Sequence, residues 1–427
     1  MSDERYQALR RTGPPISRRP DAGGVGWRFV LVYALAYIGM WMALLTPVLV
    51  GLTIRVHALD PAHATGNLSL VLGVGALIAL FGNPFFGQLS DCTSWRFGMR
   101  RPWLIIGALG GTVGLAMVAR ATSVPQVLLG WCLTQLAYNA ELAVLVAILS
   151  DQVPARQRGT VSGIVGISLP IGMVVGTCLA QWLASSMLAM FLVPAAIAVA
   201  GAVGLAWLLP DRRLVARQRA RYGLREFLGS FWISPRRFPD FGWAWVSRFL
   251  LFAGISVVLT YQGLYLIQQL GRAPGEIPRL VFLSTLVQSV ALVVSSSVGG
   301  KLSDAVGRRK VFVFGAGLTY ALAMLVIAFA PSYPWFLVGI AIAGAGQGGY
   351  SAVDLALVTD VLPEREIHAA RNLGIFNIAT VMPQSLVPAL ASAVLAASGG
   401  TYAVLFVVAA ALVVLGAWAI RPVRGVR

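Results

Sequence analysis

The sequence predicts an all-α membrane protein whose twelve transmembrane helices form two pseudo-symmetric halves of six. Of the 427 residues, 58% are hydrophobic and only 11% are charged, and the mean hydropathy is +0.78. A soluble domain carries about 25% charged residues. Apolar runs of roughly 18 residues or more, the length that spans a bilayer, recur from Trp27 onward. This composition excludes a water-soluble protein.

The twelve predicted helices follow these apolar runs. Their bounds are residues 27–54, 67–89, 102–119, 126–150, 160–183, 188–209, 242–268, 280–300, 311–330, 334–360, 373–396 and 401–420. The predicted domains are a cytoplasmic tail over 1–26, a six-helix bundle over 27–209, a cytoplasmic linker over 210–241, a second six-helix bundle over 242–420 and a cytoplasmic tail over 421–427. The Arg-rich linker is either an amphipathic helix on the anionic inner leaflet or a solvated connection.

The net charge of +17 is distributed unevenly along the chain. Segments on the side of the termini hold 28 of the 33 Lys and Arg residues, if Arg28 at the edge of helix 1 is included. The opposite loops hold four, Arg55, Arg120, Arg272 and Arg279. By the positive-inside rule we expect both termini in the cytoplasm of a multi-pass protein of the cytoplasmic membrane. The basic charge therefore indicates topology rather than a nucleic-acid partner.

Catalytic and metal-binding patterns are missing from the sequence. The three cysteines are odd in number, so no disulfide framework is expected, and the three histidines fall in predicted loops. There is no recognisable nucleophile–base pair. We expect neither an enzyme nor a cofactor.

Two loops occur twice in the chain. Residues 87–102 read "GQLSDCTSWRFGMRRP" and residues 299–310 read "GGKLSDAVGRRK", with their aspartates 213 residues apart. "SDQVPARQRGTVSG" after helix 4 resembles "TDVLPEREIHAARNLG" after helix 10, at an offset of 209. Two loops that agree in offset indicate an internal duplication of six helices.

The repeated loops are predicted to act as gates. A glycine in the last helical turn permits close helix approach, and Arg–carboxylate pairs can latch neighbouring helices. The candidate gating residues are Gly87, Asp91, Arg100, Arg101, Asp151, Arg158, Gly300, Asp304, Gly307, Arg308, Arg309 and Asp360.

These loops resemble the signature of the major facilitator superfamily. The first loop copy is similar to the corresponding loop of one branch of this superfamily, the glycoside–cation symporters and sucrose transporters. The segment "DFGWAWVSRFLLFAG" at the start of helix 7 is also similar to that branch. The resemblance implies secondary transport of a sugar or glycoside coupled to protons or sodium. The carboxylates of that branch in helices 2 and 4 are replaced here by Asn83 and Gln135.

Three charged residues lie well inside predicted helices: Glu141, Arg248 and Asp354. At 1.5 Å per residue, Arg248 and Asp354 each lie about 9 Å from the cytoplasmic end of their helix, so we expect an ion pair, either part of a transport state or permanently structural. Glu141 lies near the midplane, where desolvation favours the protonated form, so the carboxyl group can bind a proton and release it when water reaches it. It is our candidate for proton coupling, or alternatively a buried acid facing another helix.

By the same resemblance, helices 1, 4, 7 and 10 line a central cavity, and each carries a polar or aromatic stripe. The candidate cavity residues are Tyr33, Tyr37, Trp41, Gln135, Tyr138, Asn139, Tyr261, Gln262, Tyr265, Gln347, Tyr350 and Ser351. Amides and aromatic faces suit a neutral, hydroxyl-rich solute. Helix packing is the alternative for any single stripe.

The sequence therefore predicts a secondary active transporter that moves a small neutral polar solute, a sugar or glycoside, by alternating access with proton coupling. The alternative is an efflux carrier, a proton antiporter for a drug-like or secondary metabolite. A non-transporting membrane receptor is a third hypothesis. The expected partners are the solute, protons and the lipid bilayer, and we expect the monomer to be functional.

Overall fold

The computed structural model describes residues 24–93, 95–210, 238–306, 309–361 and 365–423, and of residues 155, 304 and 355–377 it describes the backbone only. Most of the predicted linker, over 211–237, lies outside the described residues, as do Gly307 and Arg308. The side chains of Asp304 and Asp360 do so as well.

Twelve helices in the described part of the chain are long and apolar enough to cross a membrane, which confirms the predicted fold class. They are α1 (Trp27–Leu59), α2 (Ala64–Asp91), α3 (Arg101–Arg120), α4 (Val124–Gln152), α5 (Ala155–Gly166 and Ser168–Trp182), α6 (Met187–Leu208), α7 (Pro239–Gln268), α8 (Ile277–Val306), α9 (Arg309–Ala328), α10 (Tyr333–Val361), α11 (Arg365–Ala397) and α12 (Tyr402–Ala419). The described residues form no β-strand.

Proline accounts for two irregularities in these helices. In α1 a π-helical turn covers Pro47–Gly51, because Pro47 has no N–H to donate to the preceding turn. In α5 the helix is interrupted at Ile167. Pro170 follows three residues later and cannot donate to the carbonyl of Gly166, so the backbone turns there.

The helices pack in two sets that repeat with an offset of six. In the first set α1 contacts α5 and α6, α2 contacts α4, and α3 contacts α4 and α6. The second set makes the corresponding contacts, with α7 on α11 and α12, α8 on α10, and α9 on α10 and α12. The sets, here called the N-half and the C-half, meet mainly through α2 with α11 and α5 with α8. This repeated packing is what an internal duplication would produce.

The bundle has two ends. The termini end carries the start of α1, the end of α12 and the α2–α3 loop, and the far end carries the α1–α2 and α7–α8 loops.

Candidate functional site

A polar cluster joins three helices of the C-half. Nη1 of Arg248 in α7 lies 2.8 Å from one carboxylate oxygen of Asp354 in α10 and 3.0 Å from the other. Nε of Arg248 donates to Oγ1 of Thr380 in α11 at 2.8 Å. The side chains of Arg248 and Asp354 are 14% and 16% exposed. The structure therefore brings the two intramembrane charges of the C-half together in a mostly buried ion pair.

Uncharged polar groups of α8 and α10 lie in the same half. Nε2 of Gln288 donates to Oε1 of Gln347 at 3.2 Å, and Ser351, one turn beyond Gln347, is exposed. Tyr350 is buried and packs edge-on against Phe252. Gln288 and Thr380 were not among the residues predicted from the sequence. Their signal was a polar side chain inside an apolar span.

The predicted stripes of α1 and α4 are largely packed inside the N-half in this conformation. Tyr33 is fully buried, and its hydroxyl donates to the carbonyl of Leu145 at 2.5 Å. Tyr37 is buried edge-on against Tyr33. The Tyr138 ring is buried against Gly111 of α3, so close that it occupies the space a Cβ atom at Gly111 would need. In this conformation helix packing, the alternative given for any single stripe, occupies these side chains.

The other predicted side chains of these two helices differ in exposure. Gln135 and Asn139 are buried, and Nδ2 of Asn139 donates to Oε1 of Gln135 at 3.2 Å. Trp41 is only half-buried. Of this group Trp41 keeps the most accessible surface.

The predicted stripe of α7 is buried as well. The hydroxyl of Tyr265 donates to the carbonyl of Ile327 in α9 at 2.7 Å, so Tyr265 holds the C-half together. Gln262 is also buried. Tyr261 donates to the carbonyl of Pro388 in α11 at 3.0 Å. In this conformation these side chains do not face an open space.

Glu141 lies on the side of α4 that packs against α3. A Cβ atom built at Gly107 of α3 would lie 2.8 Å from the Cβ of Glu141. Glu141 is fully buried, and neither carboxylate oxygen has a hydrogen-bond partner among the described residues. The acid is thus enclosed in a helix contact.

A cavity of about 460 Å³ opens between α2, α4 and the start of α5 near the termini end. It is lined by Asn83, Pro84, Gly87, Ala143, Val146, Ala147, Leu149, Ser150 and Arg158. Most of these side chains are apolar. The Arg158 guanidinium donates to the carbonyls of Ser150 and Val153 at 2.9 and 3.0 Å, at the end of α4. The described cavity wall of the N-half is therefore mostly apolar, with Asn83, Ser150 and the cationic Arg158 as its polar residues.

The first copy of the repeated loop forms a charged cluster at the termini end. Arg100 is buried and lies 2.6 Å from a carboxylate oxygen of Asp91 and 2.9 Å from one of Asp151. It also donates to Oγ of Ser90. One guanidinium therefore links the ends of α2 and α4 to the start of α3. Nε of Arg101 donates to the carbonyl of Leu209 at 3.1 Å, at the end of α6.

In the described part of the chain, twelve helices long enough to span a membrane form two repeated sets, with a mostly buried ion pair in one set, and this is the architecture of a polytopic membrane protein. The chain belongs to the Major Facilitator Superfamily, whose model matches residues 29–287 and 278–426. Its family and fold are those of transporters.

The chain matches parts of several relatives. It is 29% identical over 194 residues to the triacylglyceride transporter of Mycobacteroides abscessus, covering 44% of this chain and 35% of that protein. It is 31% identical over 135 residues to the triacylglyceride transporter of Mycolicibacterium smegmatis, covering 31% and 23%. The chain thus spans about a third or less of the length of these relatives.

Solved structures share the fold over nearly the whole chain. A bacterial homologue of the human lysosomal transporter Spinster, in an inward-facing and unoccupied conformation, aligns with a TM-score of 0.68 at 15% identity, covering 94% of this chain and 99% of that one. The D-xylose–proton symporter aligns with a TM-score of 0.69 at 18% identity, covering 93% and 97%. The nucleoside transporter NupG, as a D323A mutant, aligns with a TM-score of 0.71 at 14% identity, covering 92% and 98%.

Proposed function

We propose that the chain is a secondary active transporter of a neutral solute that has both a hydrogen-bonding and an apolar part, such as a glycoside with an apolar aglycone. The main support is the contrast between the polar groups of the two halves. In the C-half the Arg248–Asp354 pair cancels its own charge, and the Gln288–Gln347 amide pair lies about two turns away along α10. The described cavity of the N-half is mostly apolar, and its one charged residue, Arg158, is held by backbone carbonyls. A permanent ion would need a partner of opposite charge, whereas a neutral amphipathic solute suits the polar groups and the apolar lining.

The direction in which the protein faces follows from its charge. Since Lys and Arg concentrate at the termini end, that end lies in the cytoplasm by the positive-inside rule. The described cavity opens near this end, while polar contacts join the halves at the far end. These two observations support an inward-facing conformation as part of this proposal.

Proton coupling is assigned to Glu141. A carboxyl group without a hydrogen-bond partner in apolar surroundings is stable there only in its neutral form. Releasing the proton requires water to reach the α3–α4 contact, so Glu141 would act through the packing of these helices and not by touching the solute. Export by antiport would use the same acid.

The second candidate function is efflux of a more apolar compound, such as a neutral lipid or a drug-like metabolite. It is favoured by the apolar lining of the described cavity and by the names of the two mycobacterial relatives.

Flux into proteoliposomes distinguishes the two candidates. The solutes are a free disaccharide, an alkyl glycoside and a labelled triacylglycerol, each with and without a proton gradient. The variants are wild type, Glu141→Gln, and Glu276→Gln as a control that removes an exposed acid near the far end. We expect gradient-driven, saturable accumulation of the alkyl glycoside, at least tenfold reduced in Glu141→Gln while solute exchange persists, and unchanged in Glu276→Gln.

Other outcomes would change the conclusion. Flux of triacylglycerol alone would replace the glycoside by the lipid candidate. Undiminished accumulation in Glu141→Gln would remove Glu141 from coupling. No flux of any of the three solutes would overturn the proposed solute class.

A further inference from the structure

An arginine just past the end of α12 is held between two aromatic rings. The guanidinium carbon of Arg421 lies 3.7 Å from the ring centroid of Trp418, in the last turn of α12, and 4.7 Å from that of Phe314 in α9. The two rings meet edge to face with their centroids 6.1 Å apart. Stacking on a ring positions a guanidinium and leaves its N–H groups able to donate to another partner.

A second cation lies at the start of α9. Lys310 precedes Phe314 by four residues, so the two side chains lie on the same face of the helix. Neither Lys310 nor Arg421 forms an ion pair within the described part of the chain. The contact between Phe314 and Trp418 therefore places two uncompensated positive charges at one end of the α9–α12 contact. We call Lys310, Phe314, Trp418 and Arg421 the α9–α12 basic cluster.

The basic cluster lies at the edge of the surface that faces the bilayer. Trp418 is 51% exposed although it belongs to a helix that is long and apolar enough to cross a membrane. From the cluster toward the middle of the bundle, exposed apolar side chains continue along both helices. They are Leu318 and Leu322 in α9 and Val408 and Leu415 in α12.

Close packing fixes the two helices that carry the cluster. A Cβ atom built at Gly317 of α9 would lie 2.8 Å from the Cβ of Ala417 in α12. Such an approach is possible only because Gly317 has no side chain. The cluster is therefore formed before any ligand binds.

We propose that the basic cluster binds the phosphate of an anionic phospholipid, whose acyl chains lie along the exposed apolar residues of α9 and α12. A guanidinium can donate to two phosphate oxygens at once, and the Lys310 ammonium adds a second positive charge. Tryptophan is favoured at the level of the lipid headgroups. A free phosphate ion would leave the exposed apolar residues uncovered, so the page of contacts around Trp418 favours a lipid.

The site does not depend on which solute the protein transports. It lies at the termini end, which the positive-inside rule places in the cytoplasm. The cytoplasmic leaflet is the one whose anionic lipids attract basic groups near the membrane surface.

Native mass spectrometry of the purified full chain in detergent tests the site. The probes are dioleoyl phosphatidylglycerol and dioleoyl phosphatidylcholine, which share their acyl chains, and the readout is the ratio of their affinities for the first bound lipid. We expect wild type to prefer phosphatidylglycerol. Arg421→Gln should lower this ratio by about fivefold, the effect of one cationic residue near an anionic surface.

Two further variants distinguish the cluster from a general attraction to basic protein. Trp418→Leu keeps every charge but removes one of the rings that position Arg421, so the ratio should fall by about twofold. The matched control is Arg96→Gln, since Arg96 is an exposed arginine at the same end, 4.8 Å from the ring of Phe97 in its own loop. Its ratio should equal that of wild type.

Three outcomes would overturn the proposal. Equal affinities of wild type for the two lipids would show that the headgroup charge is not recognised. A ratio unchanged by Arg421→Gln, or lowered equally by Arg96→Gln, would remove the cluster as the site. Displacement of phosphatidylglycerol by millimolar inorganic phosphate would make this a site for a free anion. Because both lipids are measured on each variant, a loss of stability that weakens both equally leaves the ratio unchanged.

Discussion

The Arg248–Asp354 pair shows how a charged side chain inside the membrane is stabilised. An isolated charge is costly in the bilayer, and each of these two charges is stabilised by the other. Arg248 also bonds Thr380 and lies 5.5 Å above the ring of Phe252. The pair therefore stabilises the contact between α7, α10 and α11 in this conformation.

Exchanging the charges of Arg248 and Asp354 distinguishes the effect of their pairing on stability from the effect of their contacts with other residues. Asp354→Asn leaves a mostly buried guanidinium without its carboxylate, so we expect a loss of about 3 kcal/mol of stability. The double variant Arg248→Asp/Asp354→Arg should recover at least half of that loss, but not all, because the contacts with Thr380 and Phe252 are gone. Thermal unfolding in detergent measures both. A double variant no more stable than the single ones would contradict the pairing.

Residue spacing predicted polar stripes but not the surfaces that they face. A stripe at positions i, i+3 and i+4 marks one face of a helix whether that face meets a cavity or another helix. Tyr33, Tyr138 and Tyr265 therefore matched the pattern of a cavity, although they pack between helices. The glycines of α3 were the available signal, since a run of small residues predicts where a neighbouring helix approaches.

At the scale of helices, hydropathy predicted the number of spans, because each bilayer crossing needs a long apolar run. Hydropathy could not predict the π-helical turn in α1, which concerns backbone hydrogen bonds rather than polarity. Hydropathy also could not predict the hydrogen bonds between the halves at the far end. Thr65 is 337 residues from Tyr402 and Ser69 is 192 residues from Tyr261, so these residues become neighbours only when the halves meet.

The contact between α3 and α4 depends on Gly107. A Cβ atom there would lie 2.8 Å from both the carbonyl oxygen of Ala137 and the backbone nitrogen of Glu141. Backbone atoms cannot move aside cheaply, so Gly107→Ala should destabilise the protein by about 1–3 kcal/mol. The matched control is Gly315→Ala in α9, where the added methyl group meets nothing within 4 Å.

The midpoint of thermal unfolding checks this prediction. We expect Gly315→Ala to be neutral or slightly stabilising, since alanine restricts the unfolded chain more than glycine. Equal midpoints for both variants would show that α3 and α4 can separate without cost, and that the enclosure of Glu141 is not maintained by this contact.

At the scale of the whole molecule, the uneven distribution of charge and the position of the cavity support the same orientation of the protein in the membrane. The Lys and Arg residues concentrate at the termini end, where the described cavity opens. Hydrogen bonds between uncharged groups join the two halves at the opposite end. If the basic end is cytoplasmic, the protein is closed to the outside, and the same structure with the opposite topology would be an outward-open carrier. The orientation therefore decides the interpretation of every contact at the far end.

The native Cys92 makes that orientation measurable. Cys92 is exposed in the α2–α3 loop at the termini end, and Ala58 is exposed at the far end of α1. With Cys132 and Cys178 changed to serine, a membrane-impermeant maleimide applied to intact cells should label Ala58→Cys and leave Cys92 unlabelled until the membrane is permeabilised. The reverse pattern would place the basic end outside, contradict the positive-inside assignment, and place the hydrogen bonds that join the halves at the far end on the cytoplasmic side.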